Sequence, residues 1–219
     1  MARSREAFGE RVPGLETFAA ALESEGVRRG LIGPREVPRL WGRHILNSAA
    51  VTPHLPSSGT VIDVGSGAGL PGVVVGCLRP DLDVVLLEPM ERRAAWLSEV
   101  CALLELPGLR VVRGRAEEMH GRLAGDAVVA RAVAPLERLA RWTLPLARVG
   151  GVLLALKGSS ADAEVAEAAA VIQRLGGAPA EVLHASALPG VEETTLVRVR
   201  VVRSPAAAQQ RSRRPRSSR

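Results

Sequence analysis

The first residues equipped for chemistry stand together at Asp63-Val64-Gly65-Ser66-Gly67-Ala68-Gly69-Leu70. Glycines at Gly65, Gly67 and Gly69 let the backbone turn tightly and approach a ligand that a Cβ would hold away. Pro71 follows and opens a helical pattern. A glycine loop between a strand and a helix points to a nucleotide-bearing cofactor at the carboxyl end of that strand. A dinucleotide fingerprint needs its third glycine at position 70, where this chain has Leu70. It also places an apolar residue two positions before the first glycine, where this chain has Asp63. A carboxylate there repels a pyrophosphate and suits a cationic amine, so the cofactor expected is S-adenosylmethionine rather than NAD. No Gly-Lys-Ser/Thr follows the loop, which excludes a phosphate-binding P-loop.

Other candidates fall at the ends of later strands. Glu88 closes the second strand pattern 23 residues after Gly65, where an acid can accept both ribose hydroxyls. Gly114-Arg115-Ala116-Glu117-Glu118 follows the third strand, within reach of an adenine base. Arg131 and Lys157 end the fourth and fifth strands on the same side. Arg131 can serve either the cofactor's carboxylate or the substrate. Lys157 is the only lysine among 29 basic residues, so a compact ammonium on a flexible stem is expected to face phosphate or base there. His44 and the tryptophans Trp41, Trp96 and Trp142 read as packing residues on helix faces. Cys77 and Cys101 read as small buried hydrophobes, and no Cys or His lies near them at metal-ligand spacing, so no metal site is expected.

The elements that must position these groups follow from periodicity. Val61–Val64, Val84–Leu87, Leu109–Val112, Ala127–Ala130 and Val152–Leu156 are short apolar runs, as strands covered on both faces require. Helical patterns at Pro71–Leu78, Glu91–Leu106, Pro135–Ala147 and Ala161–Leu175 alternate with them. The alternation predicts an α/β fold, a Rossmann-like, mostly parallel doubly wound sheet. Two last runs, Ala180–Ala187 and Thr194–Val202, have no helix between them and predict a terminal antiparallel hairpin at the sheet edge. Residues 1–58 read as a helical cap and linker. Phe18, Leu22 and Val27 share one face there, and a second helix carrying Leu40, Trp41, Ile45, Leu46 and Ala49 runs between Pro34 and Pro53. The catalytic domain is expected over 59–202, and 203–219 as a disordered arginine-rich tail.

Composition narrows the function less than it first suggests. The 219 residues carry a formal charge of +6, but six of the 29 basic residues fall in 203–219 with no acid among them. That leaves 23 basic against 23 acidic groups before the tail, so the body is neutral. Apolar residues make up 47%, as in globular chains. No apolar run approaches the ~18 residues of a membrane span, and Met1–Val12 lacks a signal peptide's apolar middle. The two cysteines fit a reducing cytoplasm, and a monomer without membrane partners is expected.

Five motifs occur in order: Arg43-His44-Ile45-Leu46-Asn47-Ser48, Asp63 to Gly72, Gly114 to Glu118, Arg131-Ala132 and Leu156-Lys157-Gly158. Over roughly residues 15–200 this resembles the guanine-N7 methyltransferases of 16S ribosomal RNA, the glucose-inhibited division protein B family. The resemblance implies a class I S-adenosylmethionine-dependent methyltransferase acting on a guanine in the decoding-region loop of 16S rRNA, within the small ribosomal subunit. It places Gly65, Leu70, Ala116, Glu117 and Arg131 on cofactor-binding positions. Asn47 stands where the family more often has an acid, and the arginine tail lies outside the pattern. Guanine N7 offers a free lone pair, so methylation there requires no general base, and none is expected. Arg131 and Lys157 are then substrate-positioning candidates. The alternatives are methylation of a small molecule on the same fold, and a non-catalytic RNA-binding assembly protein.

Overall fold

β-Branched and leucine-rich runs build the centre of the molecule because parallel strands covered on both faces must be apolar on both sides. The computed structural model describes residues 2–204. Seven strands form one sheet in the order β3-β2-β1-β4-β5-β7-β6. They are β1 (Gly59–Val64), β2 (Leu82–Glu88), β3 (Leu109–Arg113), β4 (Gly125–Arg131), β5 (Ala147–Lys157), β6 (Glu181–Ala185) and β7 (Thr194–Arg200). The first five are mutually parallel; β7 runs antiparallel to β5, and β6 antiparallel to β7. The expected terminal hairpin is therefore present, with β7 paired to the parallel sheet and β6 at the rim. The chain reverses direction across the sheet between β1 and β4, and that is where the carboxyl ends of strands leave an open crevice.

Alternate residues of each strand serve opposite faces. Val61, Val84, Leu86, Val129 and Leu154 face a core shared with helices α4 (Gly72–Leu78) and α5 (Glu91–Leu104). Ile62, Val85, Leu87, Val128 and Leu153 face the other, closed by α6 (Leu136–Thr143) and α7 (Ala161–Arg174). The N-terminal segment shares the first core: Leu15, Phe18 and Leu22 of α2 (Val12–Glu25) are fully buried in it, with Leu40, Ile45 and Val51. A short helix, α1 (Ala2–Phe8), precedes α2.

Several sequence expectations are corrected. α2 stops at Glu25, so Val27 does not continue the Phe18–Leu22 face and is 39% exposed. The helix expected between Pro34 and Pro53 is broken into a 3₁₀ segment (Pro34–Arg39), a π segment (Leu40–Leu46) and one α turn, α3 (Asn47–Ala49). Pro38 inside the first segment has no N–H to sustain a regular i→i−4 ladder. α6 likewise ends at Thr143, before a 3₁₀ turn containing Pro145, and Ala147 already belongs to β5. Of the arginine-rich tail, residues 205–219 lie outside the described residues. No helix among the described residues is long and apolar enough to cross a membrane.

Gly72 begins α4 against the sheet, and a Cβ there would run into Leu86 and the Asp63 side chain. Gly72→Ala is expected to cost about 1–3 kcal/mol through overpacking. Urea unfolding checks this; a midpoint equal to that of the parent would show that α4 can shift freely off the sheet.

Candidate functional site

Three hollows open at the carboxyl ends of the parallel strands and meet at the segment Arg131-Ala132-Val133. The first, about 340 Å³, is walled by Gly65 to Ala68, Leu70, Glu88 and Arg131. The second, about 190 Å³, adjoins it through Gly65, Pro89 and Val133, and brings in Ala116, Glu117, Arg138 and Trp142. The third, about 560 Å³, adjoins the first through Arg131 to Val133, and is lined by Arg43, His44, Asn47, Lys157 and Glu164. Ala132, at the junction, holds a left-handed backbone with φ +53°. Such a conformation costs a non-glycine residue energy and is found where surrounding structure over-determines it.

The glycine loop is held from below and from both sides. Gly65 and Ser66 donate backbone N–H bonds to the Leu87 carbonyl at 2.8 and 3.3 Å, which fastens the loop to β2. Gly65 sits at φ +72° and Gly67 at φ +55°, where a side chain is strained, and a Cβ on Gly65 would press on Val133. The Trp96 indole N–H donates to the Ala68 carbonyl at 3.0 Å, so a core residue of α5 also fixes the loop.

Asp63 lies beneath that loop, not in its mouth. Its Oδ2 accepts the Gly72 N–H at 3.0 Å, and its Oδ1 is buried with no hydrogen-bond partner. The expectation that this carboxylate faces a cofactor amine is therefore revised: Asp63 is absent from the lining of all three hollows. Burial pushes its carboxyl up to about 7, against the nearby Ser66 hydroxyl, the Gly72 hydrogen bond and the Arg131 charge, which all favour the anion. Gly69 is also turned inward, with Val73 and Phe18 against the place of its missing side chain. Gly65, Gly67 and Leu70 do line the first hollow.

Glu88 is 2% exposed and lines the first hollow. One carboxylate oxygen accepts the Gly67 N–H and the other the Met90 N–H, both at 2.9 Å. A carboxylate oxygen has two lone pairs, so each keeps one for a ligand hydroxyl. Ala116 and Glu117 line the second hollow. Trp142, read from sequence as core, lines it too, with the Arg138 guanidinium 4.6 Å from its ring centroid.

Lys157 lines the third hollow, but its ammonium is committed. Nζ donates to the Ala134 carbonyl at 2.7 Å and to Glu164 Oε2 at 2.6 Å, and the side chain is 9% exposed. Glu164 Oε2 also accepts the Leu136 N–H at 2.7 Å, so this pair pins the β4–α6 turn to β5 and α7. Of the three N–H groups, one is left to meet a ligand. Arg131 extends instead toward the N-terminal segment: Nη2 is 3.1 Å from His44 Nδ1 and Nη1 donates to Asn47 Oδ1 at 3.5 Å. Burial lowers Arg131 to about 10, with Asp63 opposing the shift. Asn47 in turn donates to Thr194 Oγ1 of β7 at 2.6 Å.

Sequence reading missed Leu31, Met90, Arg93 and Val133 as wall residues. Only Val133 had a signal, its place directly after the Arg131-Ala132 motif. Leu31 comes to the cleft by tertiary packing of the N-terminal segment, which no local pattern announces. Among the described residues no cluster of three or more His, Cys, Asp or Glu is placed to hold a metal.

A family model described as GidB, rRNA small subunit methyltransferase G, matches residues 11–190. This chain belongs to that family. A relative from Salinispora arenicola named Ribosomal RNA small subunit methyltransferase G is 55% identical, over 94% of this chain and 89% of its own. One of the same name from Thermobifida fusca is 54% identical, over 90% of this chain and 84% of its own. Among solved structures, a SAM-dependent O-methyltransferase from Thermotoga maritima superposes with a TM-score of 0.53 at 16% identity, covering 72% of this chain and 65% of that one. A precorrin-6y C5,15-methyltransferase from Geobacter metallireducens gives 0.51 at 15% identity, covering 77% and 89%. These two distant likenesses show the fold, a class I methyltransferase α/β sheet, and the family resemblance read from the motifs is confirmed.

Two outcomes follow from the buried carboxyls. Asp63 has a higher pKa folded than the ~3.9 of an unfolded aspartate, so its protonated form favours the fold. That contribution is complete below pH about 4 and is lost as pH rises to about 7, at about 1.4 kcal/mol per pH unit. In Asp63→Asn the loss should vanish, and the variant should match or exceed the parent in stability at pH about 8; thermal unfolding across pH reads this directly. Removing one side of the Lys157–Glu164 pair should cost about 1–3 kcal/mol, because the remaining charge loses its opposite partner in a half-buried place and keeps only its hydrogen bonds to the β4–α6 turn and α7. Lys157→Ala combined with Glu164→Ala should therefore be less damaging than the two single losses summed; additive losses in urea would show the pair to be uncoupled.

Proposed function

We propose that this chain transfers a methyl group from S-adenosylmethionine to N7 of a guanine in 16S rRNA of the small ribosomal subunit. The observation that carries the proposal is the meeting of the glycine-loop hollow and the basic third hollow at Arg131, within a chain of this family. The names of its relatives support the small-subunit rRNA substrate, and the motif resemblance supports guanine N7.

The residues present fit the cofactor. Glu88 has a free lone pair on each oxygen for the ribose hydroxyls, and the missing side chains at Gly65 and Gly67 leave room for close approach. Ala116 and Glu117, with Trp142 beside them, offer the adenine a half-apolar lobe. When bound, the cofactor supplies an electrophilic methyl on a sulfonium. What the protein must add is orientation, since N7 presents its lone pair without losing a proton. Asp63 secures the turn into α4, Glu88 locks Gly67, and Leu87 anchors the loop, so the cofactor site is set before a ligand arrives.

On the substrate side, Arg43 is exposed at the rim of the third hollow and suits an RNA phosphate. Arg131, at the boundary, is placed for the cofactor carboxylate or the guanine O6 edge, the latter a usual partner of arginine. Lys157 keeps one N–H for the substrate while it holds the turn.

Two measurements test this. Small subunits from a strain lacking the gene should accept one labelled methyl, mapped by mass to N7 of a single guanine; subunits that gain none would exclude the substrate. Glu88→Ala should weaken S-adenosylmethionine binding at least tenfold by calorimetry, since hydrogen bonds to a charged group contribute about 1.5–3 kcal/mol each. Unchanged affinity would overturn the assignment of Glu88 to the cofactor.

A further inference from the structure

Arg131 walls both the cofactor hollow and the basic hollow, and its guanidinium is secured by an imidazole rather than a carboxylate. Guanidinium nitrogens only donate, so His44 Nδ1 must offer a lone pair to Nη2, 3.1 Å away. The ring proton then sits on Nε2, which lies 2.7 Å from Glu36 Oε2. The order of groups fixes the tautomer: Nε2–H donates to Glu36, and Nδ1 accepts from Arg131. This order exists only while the imidazole is neutral. A second proton on Nδ1 would set N–H against N–H and add a positive charge beside a buried guanidinium.

We propose that Glu36 and His44 are positioning residues that hold Arg131 at the junction of the two hollows, and that protonation of His44 releases Arg131 and stops transfer. The inference rests on reading this junction as the methyl-transfer centre. Three charged groups act on His44: Glu36 from the 3₁₀ segment, Arg43 from its own π segment and Arg131 from the end of β4. Burial lowers its pKa most, Arg131 and Arg43 act in the same sense, and Glu36 opposes them. Arg39 lies near enough to act on Glu36, and Asp63 acts on Arg131 from the loop side. Lys157 and Glu164 line the same hollow and neutralise one another. His44 therefore titrates below its ordinary 6.5, which leaves the relay intact at neutral pH and breaks it on acidification. Neither guanine N7 nor the sulfonium changes protonation in that range, so an acid limb there reports on the protein.

The experiment is the pH profile of methyl transfer to undermethylated small subunits, between about pH 5 and 8. The parent should lose activity about tenfold per pH unit on the acid side of His44's pKa. Glu36→Gln keeps an acceptor for Nε2–H but removes the carboxylate that favours imidazolium, so the limb should move to lower pH. His44→Asn puts a non-titrating acceptor near the place of Nδ1; it should be slower than the parent, with a flat profile. A parent profile that is flat, or a limb unmoved in both variants, would overturn the proposal.

A second readout needs no substrate. In ¹⁵N-labelled protein, the His44 signals should show a proton on Nε2 and none on Nδ1 at neutral pH, and Arg131→Met should raise the titration midpoint. A protonated Nδ1 at neutral pH refutes the relay. Absence of methyl transfer at every pH, with these signals intact, refutes instead the functional reading on which the catalytic role depends.

Discussion

A carboxylate with one oxygen bonded and the other alone in the core organises the glycine loop and the start of α4. Asp63 stands one residue before the end of β1, under the glycine loop, accepts the first turn of α4 through the Gly72 N–H, and leaves Oδ1 unpaired. An unsatisfied buried acceptor is costly, so this arrangement carries a local energetic penalty. Its geometric consequence is that the loop is bent across the end of β1 and the helix is started at a fixed place. Glu88, one strand over, completes the same arrangement by tying Gly67 and Met90 together. The two carboxylates thus have different places: Asp63 lies under the loop and outside the hollows, and Glu88 stands in the wall of the first one.

The N-terminal segment is a second determinant. Its apolar residues enter the same core as α4 and α5, so the segment is packed as part of the fold. From that anchorage it contributes Leu31 to the glycine-loop hollow and Arg43, His44 and Asn47 to the basic one. The irregular 3₁₀ and π winding between Pro34 and Leu46 is what sets Glu36 beside His44. A regular α-helix would space residues eight apart by more than two turns, about 12 Å along the axis.

Much of the fold was legible because its signals are local. Apolar strand runs, helical periodicity and the glycine loop each depend on a few neighbouring residues, and all five parallel strands lie where those runs stand. Boundaries failed where proline intervened, as at Pro38 and Pro145. Glu88 and the Ala116-Glu117 loop were readable as crevice residues because a parallel sheet delivers every strand's carboxyl end to one side. Asp63 was readable as special but not in direction, and Lys157 as a residue of the crevice but not in its pairing with Glu164. Strand position identifies the end of the sheet, whereas a buried partner decides whether the side chain turns to the ligand or away from it. Trp142, read as core, does pack against the core under α6 and α7 and also lines the second hollow, because a half-buried aromatic on a helix can serve both.

The amino-acid sequence by itself determined the class of fold, the family, the glycine loop after β1 and the neutrality of the body before the tail. These are properties of composition, short-range pattern and motif. Only the tertiary structure decided that the lone lysine is bound to Glu164, that Asp63 lies beneath the loop, and that Arg131 is joined to His44, 87 residues away in the chain. Those outcomes are pairings between elements distant in sequence. Buried charges and donors must find partners wherever packing brings them, and the identity of the partner is written in the geometry of the whole core rather than in any one segment.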